Sequence, residues 1–171
     1  MVNKIKKKFS SNGLKVFGLS TAFEDFSFNN RKNTENLLHK RALVGETKKA
    51  FSDRNISSFD EQIDFPVALD KLTSGQELSK EEHTNFICNL NPRFKFLSPN
   101  DQDEMKKKIR EYLITLQKTS MTFTLNQFKG TPTFVLFDQN KIVLHEWFGH
   151  KSMEETERLI LAGFEQTNLK L

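Results

Sequence analysis

Short apolar runs alternate with longer stretches of helical spacing along this chain. Leu14-Lys15-Val16-Phe17-Gly18-Leu19-Ser20 is compact, apolar and β-prone, and it follows the stop signal Asn12-Gly13, so it predicts a buried strand. Before it, Val2, Ile5 and Phe9 recur at roughly helical intervals and predict the last turns of a helix. Helical patterning resumes from Thr34 through Leu37, Leu38 and Ala42, and again from Lys48 to Phe51, with Gly45 interrupting it. Phe65-Pro66-Val67-Ala68-Leu69-Asp70 predicts a second short strand, its proline favouring a sheet edge. Two strands separated by helical sequence predict a parallel pair.

The stretch from Lys71 to Ser120 reads as a helical insertion. Ser79-x-x-Glu82 predicts a capping box ahead of one apolar face made by His83, Phe86, Ile87 and Leu90. Ser98-Pro99-Asn100-Asp101 offers an N-cap, a proline at the first helical position and an early acid, ahead of Met105, Ile109, Tyr112, Leu113 and Leu116. Thr133 to Asp138 predicts a strand, Gln139-Asn140 a tight turn and Lys141 to Phe148 a second strand, which together make an antiparallel hairpin. Ser152-x-x-Glu155 starts a closing helix, with Leu159, Ile160 and Phe164 expected inward and acids near its positive end.

Pro132 sits at the mouth of the hairpin, in Gly130-Thr131-Pro132-Thr133. A proline cannot donate to a sheet ladder, so it belongs at a strand's first residue, and Thr131 before it is pushed to extended geometry. A cis bond at that place would mark a functional loop.

Composition narrows the chemistry. A chain of 171 residues suits one domain, residues 1–171, which would bury roughly two-thirds of its unfolded surface. No apolar run approaches the length of a bilayer span, and no apolar stretch follows the basic start Lys4, Lys6, Lys7 and Lys8 to make a signal peptide; the expectation is a soluble, cytoplasmic chain with no membrane partner. The net charge of +4 is spread among interspersed acids, and Lys6-Lys7-Lys8-Phe9 reads as a solvated helix end, so nucleic acid is not expected as a partner. The 17 phenylalanines read mostly as core. A single cysteine, Cys88, rules out an intramolecular disulfide, a cysteine-rich zinc site and a two-cysteine redox motif within these residues.

The strings Val16-Phe17-Gly18-Leu19-Ser20 with Ala22-Phe23-Glu24-Asp25, Phe65 to Asp70, and Gly130-Thr131-Pro132-Thr133 with Val135-Leu136-Phe137-Asp138 and Phe148-Gly149 resemble the redoxin branch of the thioredoxin-like superfamily. That branch comprises thiol-disulfide oxidoreductases and alkyl hydroperoxide reductase/thiol-specific antioxidant proteins. The resemblance implies an α/β, thioredoxin-like fold, incomplete at its N-terminus, with residues 71–120 inserted. It implies that Thr131 and Pro132 form the substrate groove facing a Cys-x-x-Cys pair, and nothing in this chain matches those cysteines. The family's thiolate attack and resolution need both thiols, so the chain is expected to be inactive as it stands, and whether it is an enzyme stays open. The missing family strand would leave two half-sheets with exposed inner edges. The implied partner is a protein thiol, a disulfide or a peptide, with no cofactor. The alternative is a non-catalytic module that holds an extended peptide in the proline groove or along a strand edge.

Other residues carry less. Cys88 is a candidate minor redox thiol, with His83 five residues earlier, but its flanks Phe86, Ile87 and Leu90 favour a buried, inert thiol. His39, His83, His145 and His150 are too scattered for a metal site. The acid pair Glu24-Asp25 follows the first strand, at the end where α/β sites cluster.

Overall fold

The computed structural model describes residues 1–22 and 25–167, and it is a mixed α/β protein. In chain order the elements are α1 (Val2–Phe9), β1 (Gly18–Ser20), α2 (Arg31–Lys40), α3 (Gly45–Ser52), β2 (Val67–Leu69), β3 (Leu72–Thr73), α4 (Gly75–Leu78), α5 (Glu81–Asn89), α6 (Pro99–Thr115), β4 (Thr119–Ser120), α7 (Met121–Leu125), β5 (Thr133–Phe137), β6 (Val143–Phe148) and α8 (Met153–Gln166). The strands form three separate two-stranded sheets, β1–β2, β3–β4 and β5–β6. The Gly18 amide donates to the Pro66 carbonyl at 2.8 Å and the Asp70 amide to the Ser20 carbonyl at 2.9 Å. Residue numbers rise together along both strands, so β1 and β2 run parallel, as the spacing predicts.

Contacts divide the chain into two compact units: Met1–Gly18, Ile63–Pro66 and Phe128 onward in the first, Leu19–Gln62 and Val67–Gln127 in the second. In the first unit, α1 and α8 bring Ile5, Phe9, Ile160 and Phe164 into one buried cluster, with Leu14, Leu136 and Met153 packed around it. The Phe9 and Phe164 rings lie 6.1 Å apart in a tilted pair. Full burial of side chains of this size stabilises by about 1.5–3 kcal/mol each. The amphipathic pattern of α1 explains the docking: Ile5 and Phe9, one turn apart, face the cluster, while Lys8 turns outward to Glu157 at 2.7 Å. α8 starts as predicted. The Ser152 hydroxyl accepts from the Glu155 amide at 3.1 Å, and the Glu155 carboxylate accepts from the Ser152 amide at 3.0 Å.

In the second unit, Leu78 of α4, Ile87 of α5 and Leu113 of α6 form the buried cluster, with Ile109, Leu116, Met121 and Leu125 around it. β3 and β4 pair antiparallel, Leu72 opposite Ser120 and Thr73 opposite Thr119, and so tie together the two ends of the helical stretch. The N-cap of α6 forms as expected, Ser98 accepting from the Asp101 amide with Pro99 at the start of the helix.

Four expectations are corrected. Ser79 does not cap α5. It ends α4, where its hydroxyl donates to the Gln76 carbonyl at 2.8 Å, while Ser74 caps α4 and Lys80 stands at the start of α5 without a side-chain cap. A separate short helix fits before α5, and it claims the serine. The buried face of α5 is Thr84, Ile87 and Cys88; Phe86 and Leu90 are exposed. Small side chains at 84 and 88 flank Ile87 on that face and let the helix approach its neighbours. Nor are the phenylalanines mostly core: Phe9, Phe94 and Phe164 are buried, whereas Phe17, Phe28, Phe86, Phe96, Phe137 and Phe148 are exposed. The strands are also shorter than their apolar runs, residues 14–17 lying outside β1 and residues 141–142 outside β6.

Candidate functional site

The loop Gly130-Thr131-Pro132-Thr133 leads into β5, and the Thr131–Pro132 bond is cis. The Gly149 amide, just past β6, donates to the Pro132 carbonyl at 2.8 Å, and the Thr133 hydroxyl donates to the Gly130 carbonyl at 2.7 Å. Gly130 is buried against the Phe148 ring, and a Cβ there would stand 2.7 Å from Cε2, closer than atoms pack. The first residue of this loop is therefore held from below by an aromatic ring. Thr131 is exposed and Pro132 is half-buried, so the loop presents its middle to solvent.

The hairpin behind the loop has two unlike faces. Residues 134 and 136 of β5 stand opposite 147 and 145 of β6, so Phe134, Leu136, His145 and Trp147 share one face. There Phe134 and Trp147 stack with ring centroids 5.2 Å apart, and Leu136 joins the α1–α8 cluster. The ring nitrogens His145 Nε2 and Trp147 Nε1 are enclosed without a hydrogen-bond partner among the described residues. The opposite face carries Val135, Phe137 and Phe148; Phe137 is 42% and Phe148 54% exposed. Phe17 lies edge-on to Phe137 with centroids 5.9 Å apart.

Backbone pairing also sets the free edge. Pro132 and Gly149 form a hydrogen-bonded pair, so 134–147 and 136–145 do as well, and the amides and carbonyls of Thr133 and Val135 point the other way. Beyond the bulge at Leu136/Phe137, the Asp138 amide donates to the Ile142 carbonyl at 3.0 Å, which turns Phe137 to the same free edge. No strand among the described residues pairs with that edge.

Thr131 and Pro132 belong to the first unit, and Cys88, the other predicted site residue, belongs to the second. The thiol is fully buried. Burial raises its pKa, and the nearby positive charges of Lys106 and Arg110 oppose that rise only in part. His83 turns its Nδ1 to the Glu77 carbonyl at 3.2 Å and its Nε2 to the Glu82 carboxylate at 3.6 Å.

At the carboxyl ends of β1 and β2 the structure gathers a polar cluster that sequence reasoning left unassigned. Buried Asp70 accepts from the Thr21 hydroxyl at 2.9 Å and from the Thr122 and Phe123 amides at 2.9 and 3.1 Å. Ser120 accepts from the Ala22 amide at 3.1 Å. These hydrogen bonds fasten the start of α7 to the strand ends. Of the predicted acid pair, Glu24 and the preceding Phe23 lie outside the described residues. The Asp25 carboxylate accepts from the Glu46 amide at 2.8 Å, at the start of α3. No group of three potential metal ligands occurs among the described residues, and none of their helices is long and apolar enough to cross a membrane.

Comparison with protein-family models, with curated proteins and with solved structures finds no match. The reading of the site therefore rests on its geometry and on the residues that build it.

Proposed function

We propose that this chain is a thioredoxin-like domain of the redoxin type, with Thr131 and Pro132 as its substrate groove. The observation that carries the reading is the glycine-threonine-proline entry to an antiparallel hairpin, closed by a helix whose apolar face shares a core with α1. The parallel β1–β2 pair supports the same reading. Its dithiol has no counterpart in these residues, and Cys88 is a buried thiol with a raised pKa. The domain accordingly does not exchange disulfides by itself. In the reduction of insulin by dithiothreitol, the purified chain is expected to leave the uncatalysed rate unchanged, with Cys88→Ser indistinguishable from it. Acceleration that disappears in Cys88→Ser overturns the reading.

A second reading is a non-catalytic module for extended peptides. It is favoured by the outward amides and carbonyls of Thr133, Val135 and Phe137, which offer a strand-addition edge beside the loop. Amide chemical shifts separate the two: a bound peptide must move the β5 edge signals, and Val135→Pro must abolish that response.

A further inference from the structure

The outward face of the β5–β6 hairpin is apolar where solvent calls for polar side chains. An antiparallel pair with one face on a core ordinarily alternates apolar and polar residues. Here α8 covers one face, with Leu136 and Leu144 beside Gly163, and the register sets Thr133, Val135 and Phe137 opposite Phe148, Glu146 and Val143 on the other. Leu144 has no partner of its own in the ladder, and this bulge returns Val143 to the outward face. Phe137, Val143 and Phe148 are all exposed, Val143 to 56%, and the Phe17 ring beside Phe137 belongs to a residue 58% exposed. A single exposed apolar side chain is ordinary, but a group sharing one sheet face is the mark of a contact surface.

One charge stands within that face. Glu146 is exposed, with Val135 directly opposite, Phe148 two residues on and Val143 before it across the bulge. Main-chain hydrogen bonds belong to the pairs on either side, so Val135 and Glu146 form a non-hydrogen-bonded pair, in which Cα atoms stand about 4.5 Å apart and side chains lie close. Among the described residues no cation lies within ion-pair distance of the Glu146 carboxylate. Whatever covers its apolar neighbours also takes water from this carboxylate, and a carboxylate deprived of water needs a cation.

We propose that this face docks a peptide segment in which apolar side chains flank a single lysine or arginine: the apolar groups cover Phe137, Val143 and Phe148, and the cation meets Glu146. Charge complementarity selects the class. An acidic segment is repelled, an uncharged one leaves the carboxylate unpaired, and a second copy set face to face adds another Glu146 in place of a cation. The contact uses the side chains of the face and is separate from strand addition at the main-chain edge of β5. The area is small, so the complex is weak and exchanges quickly.

The probes are two fluorescein-labelled synthetic peptides, one with a lysine between leucine and valine residues and one with norleucine in place of that lysine, each titrated with the whole chain and followed by anisotropy. The lysine peptide is expected to saturate and to bind at least about fivefold more tightly than the norleucine peptide. Glu146→Gln is expected to bring the two within about twofold of each other, and Val143→Ser to weaken both about threefold. Glu165→Gln, on α8 against the opposite face, changes neither by more than about twofold. Circular dichroism establishes that each variant is folded. The proposal is overturned by absent saturation, by a norleucine peptide that binds the wild type as tightly, or by a lysine preference that survives Glu146→Gln. It is equally overturned if sedimentation shows the chain alone to be a dimer that Val143→Ser dissociates, which assigns the face to a second copy.

Discussion

The two cores solve the same burial problem by different means. Around α1, β5–β6 and α8, apolar side chains distant in sequence meet on one face of a hairpin; Thr156 is buried there and donates to the Ser152 carbonyl, while the enclosed His145 Nε2 and Trp147 Nε1 have no hydrogen-bond partner among the described residues. Among α4, α5 and α6, the apolar cluster is accompanied by buried Asp70, Thr84, Thr119, Ser120 and Thr124, each hydrogen-bonded. Backbones also come closer there: the Gly75 amide donates to the Leu116 carbonyl at 2.8 Å, and a Cβ on Gly75 would stand 1.7 Å from the Leu113 carbonyl oxygen. The first unit is held by side-chain volume, the second by backbone fit and satisfied polar groups.

Glycine substitutions test this most severely. Gly75→Ala drives a methyl into a backbone that cannot yield and is expected to destabilise the second unit by about 4 kcal/mol or more. Gly163→Ala meets only the ends of Leu136 and Leu144, at 2.9 and 3.2 Å, and is expected to cost about 1 kcal/mol. Urea unfolding of both variants measures the gap; equal costs would erase the distinction. Next come the cores themselves. Phe164→Ala and Leu113→Ala are each expected to cost about 3 kcal/mol. If the units unfold separately, native-state hydrogen exchange shows each loss confined to its own unit, whereas a loss shared by both makes the division purely geometric.

The smallest effect belongs to the α8 cap. Hydrogen bonds from the Ser152 amide and then its hydroxyl hold the Glu155 carboxyl below its ordinary value of 4.5. A lowered folded-state value means that the cap's ionic contribution is fully present above the unfolded value and is lost as pH falls through the folded one. Glu155→Gln keeps a hydrogen-bonding partner but cannot ionise. The stability gap between the wild type and this variant is expected to stay level near neutrality and to close below about pH 4.5, and denaturation at several pH values follows it.

Those elements whose signals are local could be read from sequence. The α8 capping box, the Ser98-Pro99 start of α6 and the hairpin behind Pro132 each depend on neighbours within a few residues, and each forms where the pattern places it. Signals that depend on distant partners were misread. Ser79 matched a capping box, but the competing helix α4 is defined by the approach of Gly75 to α6, which no local spacing reveals. β3 and β4 are two residues each and exist only because they face one another across the helical stretch. The loop at Thr131–Pro132 was visible as a motif, whereas the Asp70 cluster was not, because Thr21, Ser120, Thr122 and Phe123 are gathered from far along the chain.

The stacked Trp147–Phe134 pair has a practical consequence. This chain holds one tryptophan, in the first unit, and one tyrosine, Tyr112, exposed on α6 of the second. Indole emission excited at the red edge of its band therefore originates in the hairpin alone, giving that unit an intrinsic optical reporter.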